Sequence, residues 1–432
     1  MVIIKKIIIF FIIVGIILAI VPNYDISGNL VVCSFFVIIF MAYRGIFITN
    51  KVPYGVSQVF YLFALVFLGI APLIQYFEHK IFWTSKSLTD SSYLSTNLLL
   101  ILAFVIYNIT YKLKMTNRKG VKPCSDNKTV SKYVLLAISI VSTIVIIVNN
   151  GGDVLSLLVR GDFNESEAAE IEGTSYLFYQ FFLRPIPALC MLIFKFFHKR
   201  GIFIELILLG LMLVTNAPTG IPRLSVAALY IPLIFTYFPQ FLSRKYNLSL
   251  LIFASIILIF PILNIFRDID MTESMLGIFT TPDFDSYQMM ARVVSVDMVT
   301  YGRQLLGVIF FFVPRSIWPT KPIGSGYYIA NEEGFYFDNI SMNYFGEGYI
   351  NFGIIGVIMF AIILGYVNAL LDKKYWFKSG RNKSLYTAMY FVIIGMVFII
   401  MRGALLNVFP ILIGYLTGIY LVYICSKKKI EI

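Results

Sequence analysis

Residues 349–371 read Tyr-Ile-Asn-Phe-Gly-Ile-Ile-Gly-Val-Ile-Met-Phe-Ala-Ile-Ile-Leu-Gly-Tyr-Val-Asn-Ala-Leu-Leu, carry no charge, and are closed by Asp372-Lys373-Lys374. About 20 such residues in a helix cross the hydrocarbon core of a bilayer. Eleven further apolar runs surround this one, at 5–21, 30–48, 56–74, 94–111, 133–148, 175–197, 202–214, 224–240, 248–266, 385–400 and 405–425. The sequence therefore predicts twelve transmembrane helices in a single transmembrane domain over 1–432, since lipid leaves separated apolar segments no other way to satisfy their backbone. Composition agrees: 59% of the 432 residues are hydrophobic and 13% charged, about half the charge of soluble domains. Mean hydropathy is +0.83. A soluble enzyme, a disordered chain and a secreted disulfide scaffold are excluded.

The net charge of +12 is unevenly placed. With the N-terminus inside and the spans alternating, the inner segments hold 24 of the 35 basic residues and four of the 23 acidic ones. Both termini then lie in the cytoplasm, and each short loop follows the positive-inside rule. The basic run 112–132 falls inside, where it sets topology and contacts anionic lipid, so a nucleic-acid partner is not expected. Lys5 and Lys6 open an uncleaved first span, because no small-residue cleavage site follows before Pro22. Cys33 and Cys190 lie within spans and Cys124 and Cys425 face inside, with no CxxC spacing for metal or redox work.

Lysine and arginine do not distribute alike. Only three of 22 lysines (Lys80, Lys86, Lys321) face outward, against eight of 13 arginines: Arg160, Arg184, Arg223, Arg267, Arg292, Arg303, Arg315 and Arg402. A planar guanidinium fork grips phosphate or carboxylate in bidentate fashion, which a point charge does not. The outer face is thus expected to bind an anion, a phosphate above all. Arg184 and Arg402 sit in or beside apolar runs, where an arginine needs a cavity and a partner.

One long outer loop, 267–348, separates spans nine and ten, rich in Tyr, Phe and Trp. Its stretch 286–303 reads as an amphipathic helix placing Gln288, Arg292, Ser295 and Arg303 on one face. Residues 305–313 are too few to cross a bilayer and fit a re-entrant or interfacial segment. Then follow Pro314-Arg315-Ser316-Ile317-Trp318-Pro319-Thr320-Lys321-Pro322, Gly324, Gly326, and NISMNYFGEGYINFG at 339–353. Three prolines stiffen the chain around Arg315 and Lys321, and Trp318 offers a flat apolar face. Glu347 stands between two glycines where the chain returns to the membrane, as a candidate general base or a salt-bridge partner for a loop arginine. The acidic stretch 162–172 has poor metal-ligand spacing and reads as a solvated loop.

A late outer loop reading PRxIWPxKP, a glycine-rich turn and GExYxNFGxxG leading into a span resembles the oligosaccharide repeat-unit polymerases, the O-antigen or capsular polysaccharide polymerase (Wzy) group. The likeness runs from Pro314 to Gly356; elsewhere it is one of topology. It implies a GT-C-like all-α fold in the bacterial cytoplasmic (inner) membrane and a glycosyltransferase without metal or nucleotide-sugar cofactor. The implied substrates are undecaprenyl-pyrophosphate-linked oligosaccharides, the implied neighbours membrane lipids, and a chain-length regulator is a candidate protein partner. Transfer at an anomeric carbon needs a clamp for the departing pyrophosphate and an acceptor for a hydroxyl proton. Arg292, Arg303 and Arg315 are the expected clamp, with Arg184, Arg223, Arg267 and Lys321 as further substrate contacts. Glu347 is the expected base, with Asp338 and Tyr344 as alternatives, and Trp318 and Tyr349 are expected to stack on sugar rings. Alternatives are a lipid-linked oligosaccharide flippase or other transporter, from which the asymmetric loop and lack of a repeat differ, and an O-antigen ligase. A third is a shape, elongation and division type glycosyltransferase, whose motifs do not appear.

Overall fold

A computed structural model describes residues 29–49, 52–116, 129–158, 178–198, 201–242, 277–379 and 384–427. Among these residues the chain is helical, with one isolated bridge between Val130 and Lys427 and no strand. Eight helices are long and apolar enough to cross a membrane: α1 (Leu30–Phe47), α2 (Val56–Phe77), α3 (Asp90–Thr116), α4 (Lys132–Asn149), α5 (Tyr179–Phe197), α11 (Tyr344–Phe377), α12 (Leu385–Arg402) and α13 (Leu405–Ser426). Two shorter apolar helices, α6 (Ile202–Thr215) and α7 (Arg223–Tyr237), occupy the seventh and eighth expected spans. The expected spans at 5–21 and 248–266 lie outside the described residues, as do Arg160, Cys124 and the acidic stretch 162–172.

The helices are apolar on both faces, as lipid demands and water does not. On α11, Val357, Phe360, Ala361 and Leu364 are buried in the protein, while Ile354, Ile355, Ile362 and Ile363 stand on its outside. The buried side of α11 packs along α3, and α2 lies at the centre with nearly all of its span covered.

Ends that an alternating topology assigns to one side meet at one end of the bundle. At the lysine-bearing end, Trp376 donates to the Tyr54 carbonyl at 3.0 Å, and Asp372 caps α2 by accepting from the Val56 and Ser57 amides at 2.8 and 3.2 Å. Tyr111 and Tyr390 donate to the same carboxylate at 2.8 and 2.6 Å, so a fully buried charge is met by four donors.

At the opposite end the long loop does not hover over the bundle. It folds into α8 (Ser286–Ser295), α9 (Arg303–Ile309) and α10 (Ser325–Glu333). Residues 286–293 of α8 are all buried, wedged against α3 and α11. The expected helix over 286–303 is therefore two helices. Thr300 and Gly302 donate backbone bonds to the Ile350 and Asn351 carbonyls at 2.7 and 2.9 Å, and Asp297, Tyr301 and Gly302 take positive φ to reverse the chain. Arg303 consequently opens a new helix and does not share a face with Gln288 and Arg292. A matching break interrupts α11 at Phe352 and Gly353, whose φ of 60° suits glycine.

Candidate functional site

Three of the expected cations converge on the turn-rich segment 311–322. Arg315 donates to the carbonyls of Lys321 at 2.8 Å and Pro322 at 3.4 Å, and Arg303 reaches the Thr320 carbonyl at 3.2 Å. The Lys321 ammonium donates to Phe311 and Val313 at 2.6 and 3.0 Å. Arg303 and Arg315 are exposed and Lys321 and Trp318 half-buried. Among the described residues no carboxylate pairs with any of the three cations. Burial, and then the like charge of Arg315, hold the Lys321 ammonium below the ordinary lysine range.

This arrangement has a rigid frame. The Asn351 side chain accepts from the Leu305 amide at 2.8 Å and donates to the Glu347 carbonyl at 2.8 Å, fastening α9 to α11. Four residues beyond Lys321, Ser325 starts α10 and donates to Glu347 Oε2 at 2.9 Å. The other oxygen, Oε1, accepts from the Leu405 amide at 3.0 Å. Glu347 is wholly buried, and it joins α10, α11 and the start of α13. Gly326 lies so close to the Ile340 carbonyl that a Cβ there would stand 2.0 Å from the oxygen, so any side chain would force α10 off the strand of loop behind it. Gln304, 3% exposed on the helix that Arg303 opens, has a side-chain oxygen with no donor among the described residues.

The remaining expected residues enter other networks. Arg292 is buried and donates to the Lys86 carbonyl at 2.5 Å, near the Lys86–Glu333 ion pair; burial lowers its pKa and Glu333 opposes that shift. Arg184 donates to the carbonyls of Thr215 at 2.9 Å and Gly220 at 3.0 Å and to Gln180 at 3.2 Å, stitching the turn between α6 and α7 to α5. Tyr349 is buried, with its hydroxyl on Asp297 at 2.7 Å, so its ring offers no free face. Tyr344 is buried and Asp338 half-buried. Arg267 and the side chain of Arg223 lie outside the described residues.

A second polar centre has no counterpart in the sequence reading. Asp285, 1% exposed, accepts from Trp83 Nε1 at 3.0 Å, from the Ser341 hydroxyl and from Arg402 at 3.4 Å. Arg402 also binds the Asp283 carbonyl at 2.8 Å. Asp285 and Trp83 lie about two hundred residues apart in the chain, and no local pattern links them.

Residues 333–430, just under a quarter of the chain, match the family model described as O-antigen polysaccharide polymerase Wzy. The match begins inside the segment 314–356 that carries the resemblance and runs through α11, α12 and α13. No curated protein and no solved structure matches the chain.

Proposed function

From a chain whose C-terminal region is of the Wzy polymerase type in an all-helical membrane bundle, we propose a glycosyltransferase that polymerises lipid-pyrophosphate-linked oligosaccharide repeat units at the outer leaflet of the bacterial cytoplasmic membrane. The observation that carries this reading is the convergence of Arg303, Arg315 and Lys321. Two exposed guanidinium groups and an ammonium are fixed by carbonyls on one edge, with no carboxylate among the described residues neutralising them. Such a site suits a diphosphate whose charge grows as it leaves.

In the proposed reaction the bond between the anomeric carbon of the growing glycan and its pyrophosphate oxygen breaks, and the electron pair leaves with the pyrophosphate. A hydroxyl oxygen of the incoming unit bonds to that carbon. Its proton passes to Ser325 Oγ through one bridging water, since Ser325 is itself buried, while Ser325 gives its own proton to Glu347, the acceptor already in hydrogen-bond contact. Trp318, half-buried and joined to Lys321 by a 3.0 Å backbone bond, is assigned to stack on the first sugar. Asn351 and the Leu405 amide act as positioning groups, holding Arg303's helix and the Glu347 carboxylate.

Deletion of the gene, scored by polysaccharide gel, is the test. Loss of the long glycan ladder with single-repeat caps retained, or loss of capsule polymer, is expected. Persisting long chains overturn the polymerase reading; loss of every cap indicates a flippase, and polymer stranded on its lipid carrier a ligase. Complementation with Arg315→Ala is expected to restore at most about one hundredth of the polymer, the effect of losing one preorganised donor to a developing anion.

A further inference from the structure

At the far end of α10 from the cationic cluster lies a group of aromatic rings that the proposed chemistry does not use. Trp83 takes a φ of 64°, in the left-handed region that a bulky residue rarely occupies. Its indole nitrogen is tethered to Asp285 at 3.0 Å, and its carbonyl accepts from the Tyr336 amide at 3.2 Å. Phe337 stacks on the indole with centroids 4.5 Å apart and an interplanar angle of 24°, and Tyr336 meets it edge-on at 6.1 Å. Tyr336 is nevertheless 78% exposed and Phe337 41%. Two rings are thus held in place by a third that is anchored to a buried ion pair, with their outer faces left open.

The surroundings decide what fits there. Asn331, Glu332 and Asn339 flank the rings in the chain and are exposed, and the cations nearby are engaged: Lys86 with Glu333, Arg292 with the Lys86 carbonyl and Arg402 with Asp285. An acidic, amide-bearing rim repels phosphate and anionic lipid, and it offers hydrogen bonds to hydroxyl groups. Open ring faces attract polarised C–H groups. We infer that Tyr336 and Phe337, braced by Trp83, form a binding subsite for an uncharged, hydroxyl-rich stretch of glycan. This rests on the proposed polymerase reading and extends it. The nine residues of α10 at 1.5 Å each, about 14 Å of helix, lie between this shelf and the cationic cluster in the chain. One oligosaccharide can thereby be held by its phosphate at one end of α10 and by its outer sugars at the other.

The probe is lipid-free polysaccharide released from the host strain by mild acid, fluorescently labelled and equilibrated with the detergent-purified full chain. Saturable binding is expected, weakened about tenfold by Tyr336→Ala and by Phe337→Ala, the scale of one aromatic contact, and largely retained in Tyr336→Phe. Both alanine variants remove exposed rings and leave the Tyr336 backbone bond in place, and size-exclusion profiles matching the wild type verify their fold. In cells the same variants are expected to give shorter polymer. Unchanged binding in both alanine variants, or no binding by the wild type, overturns the subsite. Those results are distinct from failure of the polymerase reading, which is persistence of long polymer in the deletion strain.

Discussion

Replacing Glu347 by glutamine separates the structural from the chemical role of this carboxylate. The glutamine oxygen keeps the Leu405 amide bond now 3.0 Å long. The new amide donates to Ser325 Oγ, whose hydroxyl rotates from donor to acceptor at 2.9 Å. Both contacts survive, so the cost to stability is expected to be below about 1 kcal/mol, the net worth of a single neutral hydrogen bond. The amide cannot receive a proton, however, and the Ser325 relay is closed. Polymerisation is expected to fall by roughly 10²–10⁴-fold, the span of general-base catalysis. Glu347→Ala acts differently, because it strands a buried amide at about 1–3 kcal/mol and opens a void, and a lower yield of folded protein is expected. The assay is polymer ladder intensity in a deletion strain, normalised to the folded fraction from fluorescence-detected size exclusion. A Glu347→Gln protein that folds and polymerises at the wild-type rate refutes the base assignment and leaves Glu347 as a tie between three helices.

Three other outcomes are expected. Lys321 has its pKa held below an ordinary lysine, so its contribution to the clamp is complete at low pH and is lost as pH rises through that lowered value; Lys321→Arg, which stays charged, should extend activity to higher pH, and an unchanged alkaline limb argues against a role for this ammonium. Asp372→Asn leaves one oxygen to serve donors that now share two, so the Val56 or Ser57 amide loses its acceptor; thermal unfolding in detergent should show a loss of about 1–3 kcal/mol with activity per folded molecule retained. Arg184→Lys cannot span both the Thr215 and Gly220 carbonyls, so folded yield should drop while the remaining protein keeps its apparent substrate affinity; a specific rise in KM with normal yield would reassign Arg184 to the substrate.

The helical spans were legible because apolar runs are local properties, and ten of the expected spans coincide with helices among the described residues. The break after Ser295 was not. Residues 296–302 hold no proline, and the helix ends there because Thr300 and Gly302 bond to Ile350 and Asn351, a pairing fifty residues away. Long-range bonds override local helical preference in this way. Arg315 and Lys321 were readable together, since three prolines stiffen the chain around them; Arg303, expected on one face with Arg292, joins them only because the helix breaks after Ser295. Asp285, Gln304 and Trp83 were not, because each acquires meaning only from a partner or a void elsewhere in the fold.

The arginines expected on the outer face answer two different physical demands. Arg184, Arg292 and Arg402 are largely enclosed, and their donors reach carbonyls or a carboxylate contributed by remote segments. A lysine has one nitrogen at the end of a flexible stem and cannot bridge two acceptors held apart by the fold. Arg292 and Arg402 therefore bind the polar loop to the rest of the bundle, and Arg184 binds the turn between α6 and α7 to α5. Arg303 and Arg315 are exposed, and they spend only part of their donors on carbonyls of one turn. A guanidinium on a mobile loop must lose its freedom when an anion arrives, whereas one mounted on a turn that Asn351 and Glu347 tie at Leu305 and Ser325 has lost much of it already. Preorganisation of this kind is what would turn exposed charge into transition-state stabilisation in the proposed reaction, and here the Asn351 and Glu347 ties supply it rather than the buried arginines.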